Sequence, residues 1–144
     1  MANPEMPDLT SPGAFRFWVP EHVRFSDLDP VGHVNNNAIG VYLETGRLGF
    51  HDEAGVPTLC PHGQPVLRSV ATEFLAELHR PAGLRVGVGI LAVGNTSWTI
   101  GSAVFHGDRC IATNRSVLVM IDRQTRRPTP VPDSLRARFL SFSF

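Results

Sequence analysis

Asp27 and Asp29 stand two residues apart, followed by His33 and then by three consecutive asparagines, Asn35, Asn36 and Asn37. Pro30 and Gly32 lie between them, so the stretch from Arg24 to Gly40, RFSDLDPVGHVNNNAIG, gathers carboxylate, imidazole and amide groups at one junction. A carboxylate with a pKa of ~4 is ionised at neutral pH and can take a proton from water or attack an electrophilic carbon. In an extended chain, period two puts Asp27 and Asp29 on one side, where proximity is expected to raise one of their pKa values. The plainer reading of Asp29 is an Asp-Pro turn. Asn before an apolar run is a good N-cap, and the first N–H groups of a helix lack intrahelical partners and sit at the positive end of its dipole. That end could hold a developing oxyanion. His33 could orient a water or close the loop, and capping alone would account for some of the asparagines.

The elements on either side must position this junction. Residues 15–25, FRFWVPEHVRF, alternate with Phe15, Phe17, Val19, Val23 and Phe25 on one face, which predicts a strand. Pro20 within it predicts a sheet edge or a bulge. Residues 37–55 predict a helix of four to five turns that stops at Gly55. Its apolar residues make no single narrow stripe, which predicts burial on most sides. Gly40, Gly46 and Gly49, each costing ~1 kcal/mol against Ala in a helix, predict close contact with other backbone. Glu44 and Arg47 are spaced i,i+3 and predict a partly buried ion pair. Strands are expected over 66–78, 84–93, 97–106 and 109–121, with a hairpin turn at His106-Gly107-Asp108. A Pro-rich tail follows, with a short helix from Pro132 capped by Asp133 or Ser134. Strand, long helix and four strands predict an α+β class fold, one antiparallel sheet of about five strands curled around a central helix. Pairing with a second copy through the sheet would cover its open face and edges.

The 144 residues suffice for one domain with a real core, read as 15–144 behind a flexible tail at 1–14. A formal net charge of zero argues against nucleic-acid binding. No apolar run approaches the ~18 residues of a membrane span, and the first residues do not read as a signal peptide. Cys60 and Cys110 form no CxxC pair, which suits a reducing, cytoplasmic setting. The six histidines are dispersed without H-E-x-x-H, so no metal is expected. Without G-x-S-x-G, GxGxxG or a P-loop, serine-hydrolase and nucleotide chemistry are not indicated.

Element order and motif together resemble the hotdog-fold acyl-CoA thioesterases, specifically the 4-hydroxybenzoyl-CoA thioesterase-like family. The string runs Phe25-Ser26-Asp27-Leu28-Asp29-Pro30-Val31-Gly32-His33-Val34-Asn35-Asn36, an aromatic followed by D-x-D-x-x-G-H-V-N-N, and leads to Glu44 and Arg47. TEFLAELHRPAG (72–83), GNTSW (94–98) and DRQTRRPTPVP (122–132) continue the likeness, which covers about residues 15–140. Ile39 stands where many relatives have Tyr, and Asn37 is an additional Asn.

The resemblance implies hydrolysis of an acyl-CoA or acyl-carrier-protein thioester, with no cofactor beyond the CoA of the substrate. Asp29 corresponds to the catalytic carboxylate, as general base or nucleophile. The backbone N–H near Asn36 would face the thioester carbonyl. Asp27, His33 and Asn35 would support the loop. Glu44 is the reserve carboxylate, since a second branch of hotdog thioesterases places one on the helix. Thr96 and Ser97 lie in a turn that relatives place near the neighbouring subunit's site, within a homodimer or homotetramer. Two other readings stand beside this one, a non-catalytic acyl-CoA-binding module and a hotdog acyl-thioester dehydratase. The latter pairs His with a carboxylate in differently placed motifs.

Overall fold

The computed structural model describes residues 5–80 and 82–144. The expected tail at 1–14 falls partly outside that range. Within it, residues 12–14 form a 3-10 turn, and Leu9, Ala14 and Phe15 pack on the sheet. Five strands follow: β1 (Phe17–His22), β2 (Gly63–Phe74), β3 (Gly83–Val93), β4 (Ser97–His106) and β5 (Arg109–Asp122). They form one sheet in the order β1-β3-β4-β5-β2, every pair antiparallel. Both edge strands carry a proline, Pro20 in β1 and Pro65 in β2, where a missing N–H is tolerated.

The central helix α1 spans Asn36–Ala54. Its 19 residues give a rod of about 28 Å. Asn35 caps it, its side chain accepting from the Asn37 N–H, and Gly55 ends it at φ +85°, a left-handed conformation that suits glycine. Ile39, Tyr42, Leu43, Gly46, Phe50 and Ala54 are buried on one face, against β1, β3 and β4. A Cβ at Gly46 would come within 2.6 Å of Val86 Cγ1, and one at Gly49 within 2.9 Å of Val19 Cγ2. These two glycines let the helix lie on the sheet, whereas a Cβ at Gly40 would meet nothing within 4 Å among the described residues. The helix is therefore not buried on most sides. The sheet covers one side of it, and Val41 and Leu48 remain exposed.

Helix α2 (Val56–Leu59) follows α1 directly, and α3 (Asp133–Leu140) closes the far end of the core. Neither Asp133 nor Ser134 caps α3, whose N-cap is Pro132 without a side-chain bond. Phe139 of α3 stacks on Phe50 and lies 4.9 Å from Trp98, centroid to centroid. The opposite sheet face carries a smaller aromatic layer of Phe15, Trp18, Phe105 and Phe144. This is the curled sheet around a helix that defines the hotdog fold.

One boundary differs in a way that matters. β2 begins at Gly63 and ends at Phe74, so residues 75–78 are not strand. The Leu75 and Ala76 N–H groups both donate to the Ile111 carbonyl, which ends the ladder. The chain then leaves the sheet and passes in front of α1, where the Leu78 carbonyl accepts from the Val34 N–H at 2.7 Å.

Candidate active site

The junction folds as a pinched loop between β1 and α1. The Asp29 N–H donates to the His33 carbonyl at 2.7 Å, and the Gly32 N–H returns to the Asp29 carbonyl at 3.0 Å. Gly32 sits at φ +82°, which only glycine adopts at little cost. Leu28 and Val34 bridge the base of the loop, and the Asn35 N–H reaches the Asp27 carbonyl at 2.8 Å.

The two aspartates part company here. Asp29 Oδ1 accepts from the N–H groups of Val31 (3.0 Å) and His33 (2.9 Å). Its Oδ2 takes no hydrogen bond among the described residues. One oxygen thus forms the turn while the other stays uncommitted, so the turn reading and a chemical role are compatible in one side chain. Asp27 points toward the helix, where Oδ2 accepts from the Tyr42 hydroxyl at 2.5 Å and from the Arg24 N–H at 2.9 Å. Burial pushes the Asp27 carboxyl up, but those two bonds and the Arg24 charge outweigh it and hold it below the usual range. The rise expected in one of the two carboxylates therefore does not fall on Asp27. Burial, then the Asp27 bond, push the Tyr42 phenol well up.

Asp29 lines a cavity of about 570 Å3 with His33, Asn35, Asn36, Ile39 and the 74–78 segment. Asn36 is the first residue of α1, and its backbone N–H is in none of the junction's hydrogen bonds. Asn36, at the dipole end of α1 with an N–H unpaired among the described residues, and Asp29, with one uncommitted oxygen, therefore line one hollow. Asn35 is engaged in capping, 2.8 Å from the Asn37 N–H. His33 is half-exposed, with Nδ1 3.9 Å from Glu77.

Glu44, Thr96 and Ser97 are not at this cavity. Glu44 is eight residues along α1 from Asn36, about 12 Å at the helical rise. It lines a second cavity of about 530 Å3 with Arg47, Leu48, His51, Gly63 and Leu67. The expected Glu44–Arg47 ion pair does not form among the described residues, because Arg47 is buried and turns toward the Ser116 hydroxyl at 3.4 Å. Burial lowers the Arg47 pKa, with the charge of Glu44 opposing. Thr96 lies in the turn before β4 and Ser97 is the first residue of β4, where backbone bonds join Thr96 to Met120 and Ser97 to Gly94. Ser97 pairs with Val119 and Phe74 with Ala112, so seven residues of β5, about 23 Å, separate that turn from the first cavity.

Two features carried no signal in the sequence. His51 is buried, with Nε2 accepting from the Trp98 indole at 3.2 Å. Burial, then the Arg47 charge, push its pKa down to about 4. The other is the row Leu67, Val70 and Phe74 on β2. Each pairs with a β5 residue of the α1-facing side (Leu118, Ser116, Ala112), yet all three are about half-exposed. They are open because α1 lies over the other half of the sheet.

Five antiparallel strands curled around one long central helix place the chain in the hotdog class of folds. The chain belongs within it to the thioesterase-like superfamily, whose pattern matches residues 23–139. It is similar to the uncharacterized protein YsmA of Bacillus subtilis, 25% identical over 94% of this chain and 93% of that one. Among solved structures, a thioesterase-superfamily protein of a Jannaschia species is 29% identical, with a TM-score of 0.82 over 90% of this chain and 84% of that one. A Thermus thermophilus thioesterase, complexed with coenzyme A and Zn, is 29% identical, with a TM-score of 0.76 over 87% of this chain and 98% of that one. No helix among the described residues is long and apolar enough to cross a membrane.

Proposed function

We propose that this chain is a cytoplasmic acyl-CoA or acyl-carrier-protein thioesterase of the 4-hydroxybenzoyl-CoA thioesterase-like branch, with Asp29 as its catalytic carboxylate. The observation that carries the reading is the division of labour within Asp29. Two N–H groups fix Oδ1, while Oδ2 takes no hydrogen bond among the described residues, and Asp29 and Asn36 line the same cavity. Coenzyme A bound to the Thermus relative supports a CoA thioester as substrate.

In this reading the thioester carbonyl oxygen accepts from the Asn36 N–H, which stabilises the oxyanion as it develops. Asp29 takes a proton from water while the water oxygen bonds to the carbonyl carbon. The carbon–sulfur bond then breaks, and the thiolate leaves with the proton held by Asp29. The second route is direct attack by Oδ2 on the carbonyl carbon, which breaks the carbon–sulfur bond, expels the thiolate and leaves an anhydride that water then cleaves. Asp27 positions the loop through Tyr42 and does not touch substrate.

The site extends across a second copy of the chain. β2 is a free edge whose helix-side face carries half-exposed Leu67, Val70 and Phe74, beside exposed Leu48 and Val41 of α1. Pairing two β2 edges about a two-fold axis runs them antiparallel, so the Phe74 end of one faces the Gly63 end of the other. That brings Glu44, Thr96 and Ser97 of the second copy toward Asp29, where they would border substrate. A Val70→Asp change is expected to yield monomers in sedimentation and to lower thiol release. A wild-type chain that is monomeric and fully active contradicts the shared site.

The test of the activity is thiol release from short, long and aromatic acyl-CoAs, read with a thiol-reactive dye beside a direct binding measurement. Turnover on at least one class is the expected result. Tight acyl-CoA binding without turnover on any would make the chain a binding module instead.

A further inference from the structure

We propose that His33, Glu77 and His79 form a site for a divalent transition-metal ion of the zinc type, at the rim of the first cavity. One donor atom from each lies within 4.8 Å of the other two. His33 Nδ1 is 3.9 Å from Glu77 Oε1, and His79 Nε2 is 3.5 Å from Glu77 Oε2. A tetrahedral zinc with bonds of ~2.1 Å holds its donors ~3.4 Å apart, so side-chain rotation alone can close the set.

The backbone already aims these side chains. The Val34 N–H bonds to the Leu78 carbonyl at 2.7 Å and ties the two segments together. Val34 and Leu78 are both buried in the core. Their neighbours His33, Glu77 and His79 alternate away from the core, and Glu77 and His79 share a side by the two-residue period. The imidazole rings meet edge to face with centroids 4.6 Å apart. Among the described residues, no Lys or Arg pairs with Glu77, whose ionic contacts are these two histidines.

Two imidazoles and one carboxylate suit zinc, cobalt or nickel better than calcium or magnesium, which prefer all-oxygen shells. All three side chains are at least partly exposed, which leaves a fourth position for water. A bound ion would also stiffen the catalytic loop, because the His33 N–H holds Asp29 Oδ1. The ion pairs alone offer a simpler role for the cluster, but they need protonated imidazoles, whereas a metal needs neutral ones.

The site is tested on the full chain, stripped with chelator and titrated with Co2+ at mildly alkaline pH. The readouts are visible d–d absorption, zinc displacement, and zinc retained per chain after gel filtration. One ion per chain is expected, with intense visible bands that zinc abolishes. Loss of even an outer-shell partner costs roughly 10–100-fold in metal affinity, so Glu77→Gln and His79→Ala should each weaken binding by at least roughly tenfold. His106→Ala should not. Unchanged melting temperatures would show that the exposed substitutions leave the fold intact. Absent bands in the wild type, or affinity unaltered in both ligand variants, overturns the proposal. Because every readout is metal binding, the outcome is independent of thioesterase activity.

Discussion

The two cavities lie along one helix and are built in opposite ways. The first is made by a loop and a helix end. Its polar groups are a free Asp29 oxygen and the Asn36 N–H, and its rim carries exposed histidines. The second is made by the middle of α1 against the start of β2, and beside Glu44 and Asp52 it holds two side chains drawn inward, Arg47 and His51. Chemistry needs groups whose partners are missing until substrate arrives. The first cavity has them, because a helix start and an Asx turn each leave polar atoms unpaired. In the second, His51 is already bonded to Trp98 and kept neutral, which suits a structural role.

The largest expected effect on stability lies in the second cavity. His51 titrates near 4 in the folded chain, against 6.5 in an exposed imidazole. Between those values the unfolded chain binds more protons, so stability falls as pH falls from 6.5 toward 4. The shift corresponds to about 3 kcal/mol at most. Urea melts over that range should show the loss, and His51→Gln should flatten it. A His51→Gln chain as acid-sensitive as the wild type would return the effect to the carboxylates.

The first cavity is expected to lose less, and to lose activity with it. Tyr42→Phe removes a bond to a charged partner, costs about 2 kcal/mol and frees the loop at Asp27. Its unfolding free energy and its thiol release should drop together. If stability falls while turnover is untouched, Asp27 does not position Asp29. Asn35→Ala removes only the cap of α1 and should cost about 1 kcal/mol. A loss much above that in denaturant melts would mean that Asn35 has a partner beyond the Asn37 N–H.

The first cavity was the more legible of the two, because local signals build it. Asp-Pro, Gly32 and the Asn run each have one strong conformational preference, and they act within a dozen residues. Pro20 likewise marked β1 as a strand with an open side. What stayed hidden depends on distance or on a choice between neighbours. Spacing placed Glu44 and Arg47 one turn apart but did not say that Arg47 would turn inward to Ser116. His51 and Trp98 meet across 47 residues. The end of β2 is set by where Ile111 offers its carbonyl, so the apolar Leu75 and Leu78 read as strand although the chain has left the sheet. That departure also brings Glu77 and His79 to His33, a meeting that dispersed histidines could not announce.

The decisive measurement sets Asp29→Asn beside Glu44→Gln, one substitution in each cavity, under single-turnover conditions on the best acyl-CoA. Asp29→Asn should fold as the wild type and lose two or more orders of magnitude in thiol release, roughly the share of a general base. Glu44→Gln, as a neighbour of substrate, should lose far less. If Asp29→Asn retains its rate and Glu44→Gln loses it, the chemistry belongs to the second cavity and the role given to Asp29 is wrong.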